Sequence, residues 1–162
     1  MDRLIREIET ALGARMWLIS LQGTLALVDI AAALQSPDGR TTGAKFKSWF
    51  EAHLGETYPL LSSEDMWLLR CGMLHQGRTA SKNYDAVIFT LPDGRGNLFH
   101  NNIMNQTLQL DLVKFCSDVT AAVETWWATN DHLEPVATNA KDLVRVRQDG
   151  MAPYIVGVPI LA

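Results

Sequence analysis

The sequence predicts a mainly α-helical protein: a bundle of four or five helices with a β-hairpin inserted before the last long helix and a second β-hairpin at the C-terminus. Three observations support this prediction. Apolar residues recur at helical spacing through most of the chain, and capping residues stand at the expected helix ends. Residues 84–91 are instead rich in β-branched and aromatic residues. Near the C-terminus, two short apolar segments flank an Asp-Gly pair.

The N-terminal part of the chain contains two predicted helices. Residues 2–12 carry apolar side chains on one side only, which is typical of a surface helix. Residues 16–34 form the most apolar segment, with a length close to that of a membrane span. Asp29 lies near the middle of this segment, where a charge is costly in lipid. We therefore predict a central buried helix and no membrane association.

Three further helices are predicted at 43–54, 62–76 and 112–128. Two serines at the start of the second can cap its free backbone N–H groups, and Gly77 can end it in a left-handed conformation. Asp111 is placed to cap the third. The third helix also has an apolar seam that steps by four, three, four and three residues, through Leu112, Cys116, Val119, Val123 and Trp126.

The inserted hairpin is predicted to pair residues 84–91 with residues 106–110 across a long loop rich in Gly and Asn. The Gly-x-Gly of this loop lacks the third glycine and the following helix of a phosphate-binding turn, so we assign it no function.

The C-terminal part of the chain is predicted to be peripheral. Residues 130–142 are polar and contain a proline, which favours a loop. Leu143–Arg147 and Tyr154–Val158 are the two strand candidates of the C-terminal hairpin. We thus expect a single domain over 1–162, with 130–162 as its peripheral tail.

Composition narrows the classes of function. With 162 residues, 48% of them hydrophobic, the chain can bury a sizeable core. A net charge of −4 argues against extended contact with duplex nucleic acid but leaves room for a small phosphate site. The four histidines and two cysteines lack the spacing of metal ligands, so we expect neither a metal nor a cofactor. The charged, amphipathic N-terminus is unlike a secretory signal, and we expect a cytoplasmic protein with buried, reduced cysteines.

The predicted helix 62–76 carries the residues of greatest chemical interest. Its last turns and the residues beyond them read Leu-Arg-Cys-Gly-Met-Leu-His-Gln-Gly-Arg, which places Arg70 and His75 in an otherwise mostly apolar helix. This Arg-x4-His arrangement resembles the Arg-x4–6-His signature of HEPN domains (higher eukaryotes and prokaryotes nucleotide-binding), especially an uncharacterised bacterial branch. Arg95 and His100 have the same spacing, but they lie in the Gly- and Asn-rich loop and not in a helix.

The resemblance covers roughly residues 2–129 and implies an up-and-down helical bundle, often a dimer, that cleaves RNA without a metal. His75 would move a proton to or from a ribose oxygen, and Arg70 would hold the phosphate. Arg78 would add a second phosphate contact. An offset of five residues separates two side chains by about 140° around a helix, so we expect a homodimer to complete the site. Asp29 is predicted to pair with Arg70, either to position it or as a purely structural ion pair.

Two classes of function remain open at this point. One is a metal-independent RNA endonuclease. The other is a non-catalytic domain that binds RNA, a nucleotide or another protein, as in a toxin–antitoxin-like pair or a defence system. Arg70 and His75 could also simply satisfy carbonyl groups at the end of the helix. The position of His75 separates these alternatives: a catalytic histidine must reach solvent beside Arg70, whereas a structural one would be locked in packing.

Overall fold

The computed structural model describes residues 1–162, and about 51% of them are helical. The predicted mainly α-helical class is therefore confirmed. The six helices, in chain order, are α1 (Asp2–Gly13), α2 (Trp17–Leu34), α3 (Gly43–Leu54), α4 (Ser63–Gln76), α5 (Leu112–Asn130) and α6 (Val136–Asn139).

The central element of the bundle is α2, which contacts α1, α3, α4 and α5. It is the one helix long and apolar enough to cross a membrane, but 56% of it is buried within the protein. Its single charge, Asp29, forms an ion pair with α4. The prediction of a central buried helix is confirmed.

The helix ends follow the capping chemistry of the sequence. The Ser62 hydroxyl accepts a hydrogen bond from the backbone N–H of Asp65 at 3.1 Å and so caps α4. At the other end of α4, Gly77 adopts φ = 65°, the left-handed conformation predicted for it. The Asp111 carboxylate caps α5 by accepting from the backbone N–H of Lys114 at 2.8 Å. All five residues of the predicted seam on α5 are buried.

The chain between α4 and α5 forms a three-stranded sheet, ordered β1-β3-β2. Its strands are β1 (Ala86–Thr90), β2 (Asn102–Met104) and β3 (Thr107–Asp111). The predicted hairpin between 84–91 and 106–110 is wrong, because β1 and β3 run parallel. The inserted hairpin instead joins β2 to β3 through Asn105 and Gln106, both of which have positive φ. Two consecutive residues in the left-handed conformation form a tight turn whose twist matches that of the paired strands. The chain reverses once between β1 and β2 and again at this turn, so β3 runs parallel to β1.

The tail begins with a helix where the sequence predicted a loop. Pro135 stands immediately before the first residue of α6, a position that needs no backbone N–H, so the proline does not prevent the helix. The Asn139 side-chain amide donates to the carbonyl oxygens of Leu34 at 2.9 Å and Ser36 at 2.8 Å. Val136 is buried. These contacts fix the first part of the tail against the end of α2.

The rest of the tail is an arm of two nested antiparallel pairs, β4 (Val146–Arg147) with β7 (Ile160–Leu161), and β5 (Gly150–Met151) with β6 (Ile155–Val156). The predicted pairing of Leu143–Arg147 with Tyr154–Val158 is therefore wrong in register. The tight turn lies between β5 and β6, a few residues after the Asp149-Gly150 pair at which the sequence predicted it.

Asp65 ties the segment after α4 to the start of that helix. Its fully buried carboxylate accepts hydrogen bonds from the Ser62 hydroxyl (2.6 Å), the Ser81 hydroxyl (2.8 Å), the backbone N–H groups of Lys82 (2.7 Å) and Asn83 (3.2 Å), and the Asn83 amide. Burial alone would raise the pKa of Asp65, but these hydrogen bonds outweigh it and hold the pKa below its usual range.

We expect Asp65→Ala to lower the free energy of unfolding by about 3 kcal/mol at neutral pH, because the change leaves several buried donors without an acceptor. Since the folded-state pKa is depressed, this stabilisation is present above the unfolded-state pKa and is lost as the pH falls through the folded-state value. Urea unfolding of both proteins at neutral and acid pH measures the difference. A difference that does not shrink in acid would contradict this account.

Candidate functional site

Arg70 and Asp29 form an ion pair between α4 and α2. Arg70 Nε donates to Asp29 Oδ2, and Nη2 contacts the same oxygen. Asp29 is only 7% exposed, and the Arg70 side chain is 17% exposed. Burial raises the pKa of the Asp29 carboxyl, and the Arg70 guanidinium opposes that rise without cancelling it. The pairing predicted from sequence is thus present.

Trp67 holds the other side of the guanidinium. The Arg70 guanidinium carbon lies 5.2 Å from the centroid of the Trp67 ring, within the range of a cation–π contact. The Trp67 ring in turn packs against Phe46 of α3 at a centroid distance of 5.3 Å. An ion pair and an aromatic ring therefore fix Arg70 to the bundle, and little of its side chain is free to move.

His75 is exposed and lies beside Arg70. Arg70 Nη1 is 3.1 Å from His75 Nε2. The expectation that two side chains separated by about 140° would not converge on one helix is wrong, because that angle describes where the side chains leave the backbone. The long arginine side chain crosses the intervening surface and brings its guanidinium to the ring. His75 is not locked in packing.

The contact defines which ring nitrogen of His75 carries a proton. Arg70 is permanently charged and can only donate, so Nε2 accepts, and the neutral ring holds its proton on Nδ1. A protonated ring would present N–H groups on both nitrogens and would lose this contact. A phosphate oxygen placed between the two side chains could accept a hydrogen bond from each of them.

The remaining predicted site residue, Arg78, is exposed just beyond α4. Its side chain makes no hydrogen bond or ion pair with Arg70, with His75 or with any other residue. The expectation that both cysteines are buried is wrong for Cys71, which is partly exposed next to Arg70; its sulfur lies 3.9 Å from Arg70 Nη1. The structure therefore brings together Asp29, Arg70 and His75, and shows no contact of Arg78 with any of the three.

Arg95 and His100, which share the spacing of the motif, do not form a site. Arg95 is exposed, whereas His100 is turned inward: its Nδ1 accepts from the backbone N–H of Asp111 at 3.2 Å, and its Nε2 lies 3.8 Å from Asp118. Burial lowers the pKa of His100, and the Asp118 carboxylate partly opposes this. The same Asp118 accepts from the Tyr58 hydroxyl at 2.9 Å. This partly buried network, which no spacing in the sequence indicates, fixes the loop before β2 to α5.

The two main surface clefts do not include Arg70 or His75. The cleft of about 420 Å³ between the end of α2 and α3 is lined by other residues, among them Trp49 and His53. No group of three or more His, Cys, Asp or Glu side chains is placed to hold a metal ion.

Family and fold relationships do not assign the site. Comparison with protein-family models, with curated protein sequences and with solved structures finds no match for this chain. The functional assignment therefore depends on the chemistry of Arg70, His75 and the residues that hold them.

Proposed function

We propose that Arg70 and His75 form a metal-independent ribonuclease site on the surface of a HEPN-like helical bundle. The observation that carries this proposal is the 3.1 Å approach of the anchored Arg70 guanidinium to the exposed His75 ring. An immobile cation beside a solvent-accessible imidazole offers charge stabilisation and proton transfer at one point, as phosphodiester cleavage requires.

In this mechanism a phosphate of the RNA enters between the two side chains and replaces their direct contact. His75 Nε2, freed from Arg70, takes the proton of the ribose 2′-hydroxyl. The 2′-oxygen then bonds to phosphorus while the bond from phosphorus to the 5′-oxygen breaks. The imidazolium returns its proton to the 5′-oxygen, which leaves a 2′,3′-cyclic phosphate and a 5′-hydroxyl. Arg70 offsets the negative charge that grows on the phosphate.

The other two predicted site residues have supporting roles. Asp29 is buried and forms an ion pair with Arg70, so it does not contact substrate itself. Its role is to hold the guanidinium in position for the phosphate. Arg78 is free to contact a second phosphate, because no residue of the chain neutralises it.

The experiment that tests the proposal is incubation of purified protein with a mixed RNA pool, with and without EDTA. We expect cleavage that EDTA does not reduce and products that end in 2′,3′-cyclic phosphate. His132→Ala is the matched control, since His132 is also exposed and also lies beside a polar partner, Asp131, at 3.1 Å. Cleavage that EDTA abolishes, or products with a 3′-hydroxyl, would exclude this mechanism.

One observation favours a second candidate function, RNA or nucleotide binding without cleavage. In the structure, Arg70 Nη1 occupies the lone pair of His75 Nε2 that a general base needs. If a bound phosphate does not displace that contact, the site holds RNA but does not cleave it. Retarded migration of intact RNA with the wild-type protein, and no products in any condition, would select this candidate.

We also expect the protein to be a homodimer, as its resemblance to HEPN domains implies. The start of α2 exposes an apolar patch, defined by Met16 (51% exposed), Leu18 (67%) and Ile19 (54%), which a two-fold interface could cover. Light scattering should give twice the chain mass of 18.0 kDa, and Leu18→Glu should shift the protein to the monomer mass. A wild-type mass of 18.0 kDa at micromolar concentration would contradict this prediction.

A further inference from the structure

We propose that the cleft between the end of α2 and α3 binds an uncharged small molecule, whose carbonyl oxygen accepts a hydrogen bond from the indole N–H of Trp49. This inference goes beyond the proposed function, because the cleft shares no residue with the Arg70–His75 site. It gives a role to Trp49 and His53, which belong to no motif of the sequence.

The cleft has the size of a ligand pocket. Its volume of about 420 Å³ lies within the range of about 300–1,000 Å³ that is typical of such pockets. Its lining on α3 extends from Ala44 to His53, which corresponds to about 14 Å of helix rise. Five of its ten lining residues are alanine or serine, so the two helices leave room for a molecule of one or two rings between them.

Trp49 provides the observation that points to a ligand. It lines the cleft, it is only 3% exposed, and its indole Nε1 has no hydrogen-bond partner. A buried N–H group without an acceptor is unfavourable, and an acceptor supplied by a ligand would remove that cost. The ring is held in place by Trp126, which packs against it edge-on at a centroid distance of 6.0 Å. The indole N–H is thus a fixed donor in the wall of the cleft.

His53 is the side chain that moves when a ligand reaches this donor. Its ring lies against the Trp49 ring at a centroid distance of 4.5 Å and an angle of 37°. His53 is exposed and makes no hydrogen bond or ion pair within the protein, so only this stacking holds the ring in place. Rotation of the His53 side chain into solvent uncovers the indole.

The polar groups of the cleft favour an uncharged ligand. Gln35 and Ser48 are exposed, and their side chains, which can donate and accept, have no partner within the protein. The ammonium group of Lys45 is already bonded to the Asp38 carboxylate at 2.7 Å. Partial desolvation lowers the pKa of His53, so its ring is neutral at neutral pH. The cleft therefore combines neutral hydrogen-bonding groups with small apolar side chains.

The test uses three probes that share one ring and differ in charge: benzamide, benzoate and benzylamine. At neutral pH only benzamide is uncharged and carries a carbonyl acceptor. Proton–nitrogen correlation NMR detects the indole N–H signals of the five tryptophans, and Trp49→Phe identifies the signal of Trp49. We expect benzamide at millimolar concentration to move the Trp49 signal downfield, and the two charged probes to leave it unchanged.

Three variants separate the donor from the side chain that covers it. Trp49→Phe keeps an aromatic ring but removes the N–H, so it should weaken benzamide binding by about threefold to tenfold, as measured from the backbone amide shifts of α3. Trp127→Phe is the matched control, because Trp127 is partly buried but does not line the cleft, and it should bind like wild type. His53→Ala should bind at least as tightly as wild type, because no ring has to move.

Three results would each overturn the inference: no shift of the Trp49 signal with benzamide, equal shifts with benzamide and benzoate, or equal affinity of Trp49→Phe and wild type. Weaker binding by His53→Ala would also contradict it, because the ligand would then bind against the histidine and not against the indole that it covers.

Discussion

His75→Ala is expected to lower the rate of RNA cleavage by about 10²–10⁴-fold, the usual cost of removing a general acid or base. The free energy of unfolding should stay within about 0.5 kcal/mol of wild type, as for most surface substitutions. The reason is that His75 is exposed and contacts Arg70 only through its ring edge. Initial rates on a labelled RNA, beside urea unfolding of the same preparations, measure both quantities.

Two further variants test the role of the arginine in the same reaction. Arg70→Lys should also cleave poorly, because a lysine ammonium cannot reproduce the fork-shaped contact with a phosphate. Arg95→Lys makes the same change at an exposed arginine of the loop before β2 and should cleave like wild type. Unchanged cleavage by a stable, pure His75→Ala protein would rule out the assignment. A marked loss of stability in that protein would instead indicate a structural role for the histidine.

The second large effect is expected for Asp29→Ala, which should reduce the free energy of unfolding by about 3–5 kcal/mol. The change leaves the Arg70 guanidinium partly buried and without its counter-charge. Because 17% of the Arg70 side chain still reaches solvent, we expect a value near the lower end of this range. Urea denaturation of the variant and of wild type measures the loss.

A double-mutant cycle of Asp29→Leu, Arg70→Met and the variant that carries both changes shows whether this loss belongs to the pair. Asp29→Leu/Arg70→Met replaces both charges by apolar side chains, so it should recover most of the stability that Asp29→Ala loses. RNA cleavage should not return with it, because the phosphate-binding cation is gone. A loss below about 0.5 kcal/mol in Asp29→Ala would mean that the pair contributes no net stabilisation.

The five longer helices could be predicted from sequence because their determinants are local, whereas the one-turn helix α6 was expected to be a loop. Ser62, Asp111 and Gly77 each act within one helical turn, and all three cap the helix ends as predicted. Asp29 could be assigned a charged partner because an ionised group in an apolar helix needs one.

The features that sequence did not reveal depend on distant parts of the chain. The parallel pairing of β1 with β3 is determined by the path of the chain between these two strands, which includes β2. The alternation of apolar and polar residues within a strand gives no information on the direction of its neighbour. The approach of Arg70 to His75 depends on the reach and conformation of one side chain, which helical angles do not describe. Asp65 accepts hydrogen bonds from residues up to 18 positions away, and these donors include backbone N–H groups, which every sequence has.

Gly72 has a consequence for how such sites can be recognised in other sequences. Because the Arg78 carbonyl oxygen would lie 2.6 Å from any Cβ at this position, backbone would have to move before another residue could be accommodated. The residue after it, Met73, is buried in the core. The four positions between arginine and histidine are therefore not interchangeable spacers. A search pattern that requires glycine two residues after the arginine, followed by an apolar residue, would select chains that fold back over the helix that carries the arginine and the histidine in the same way.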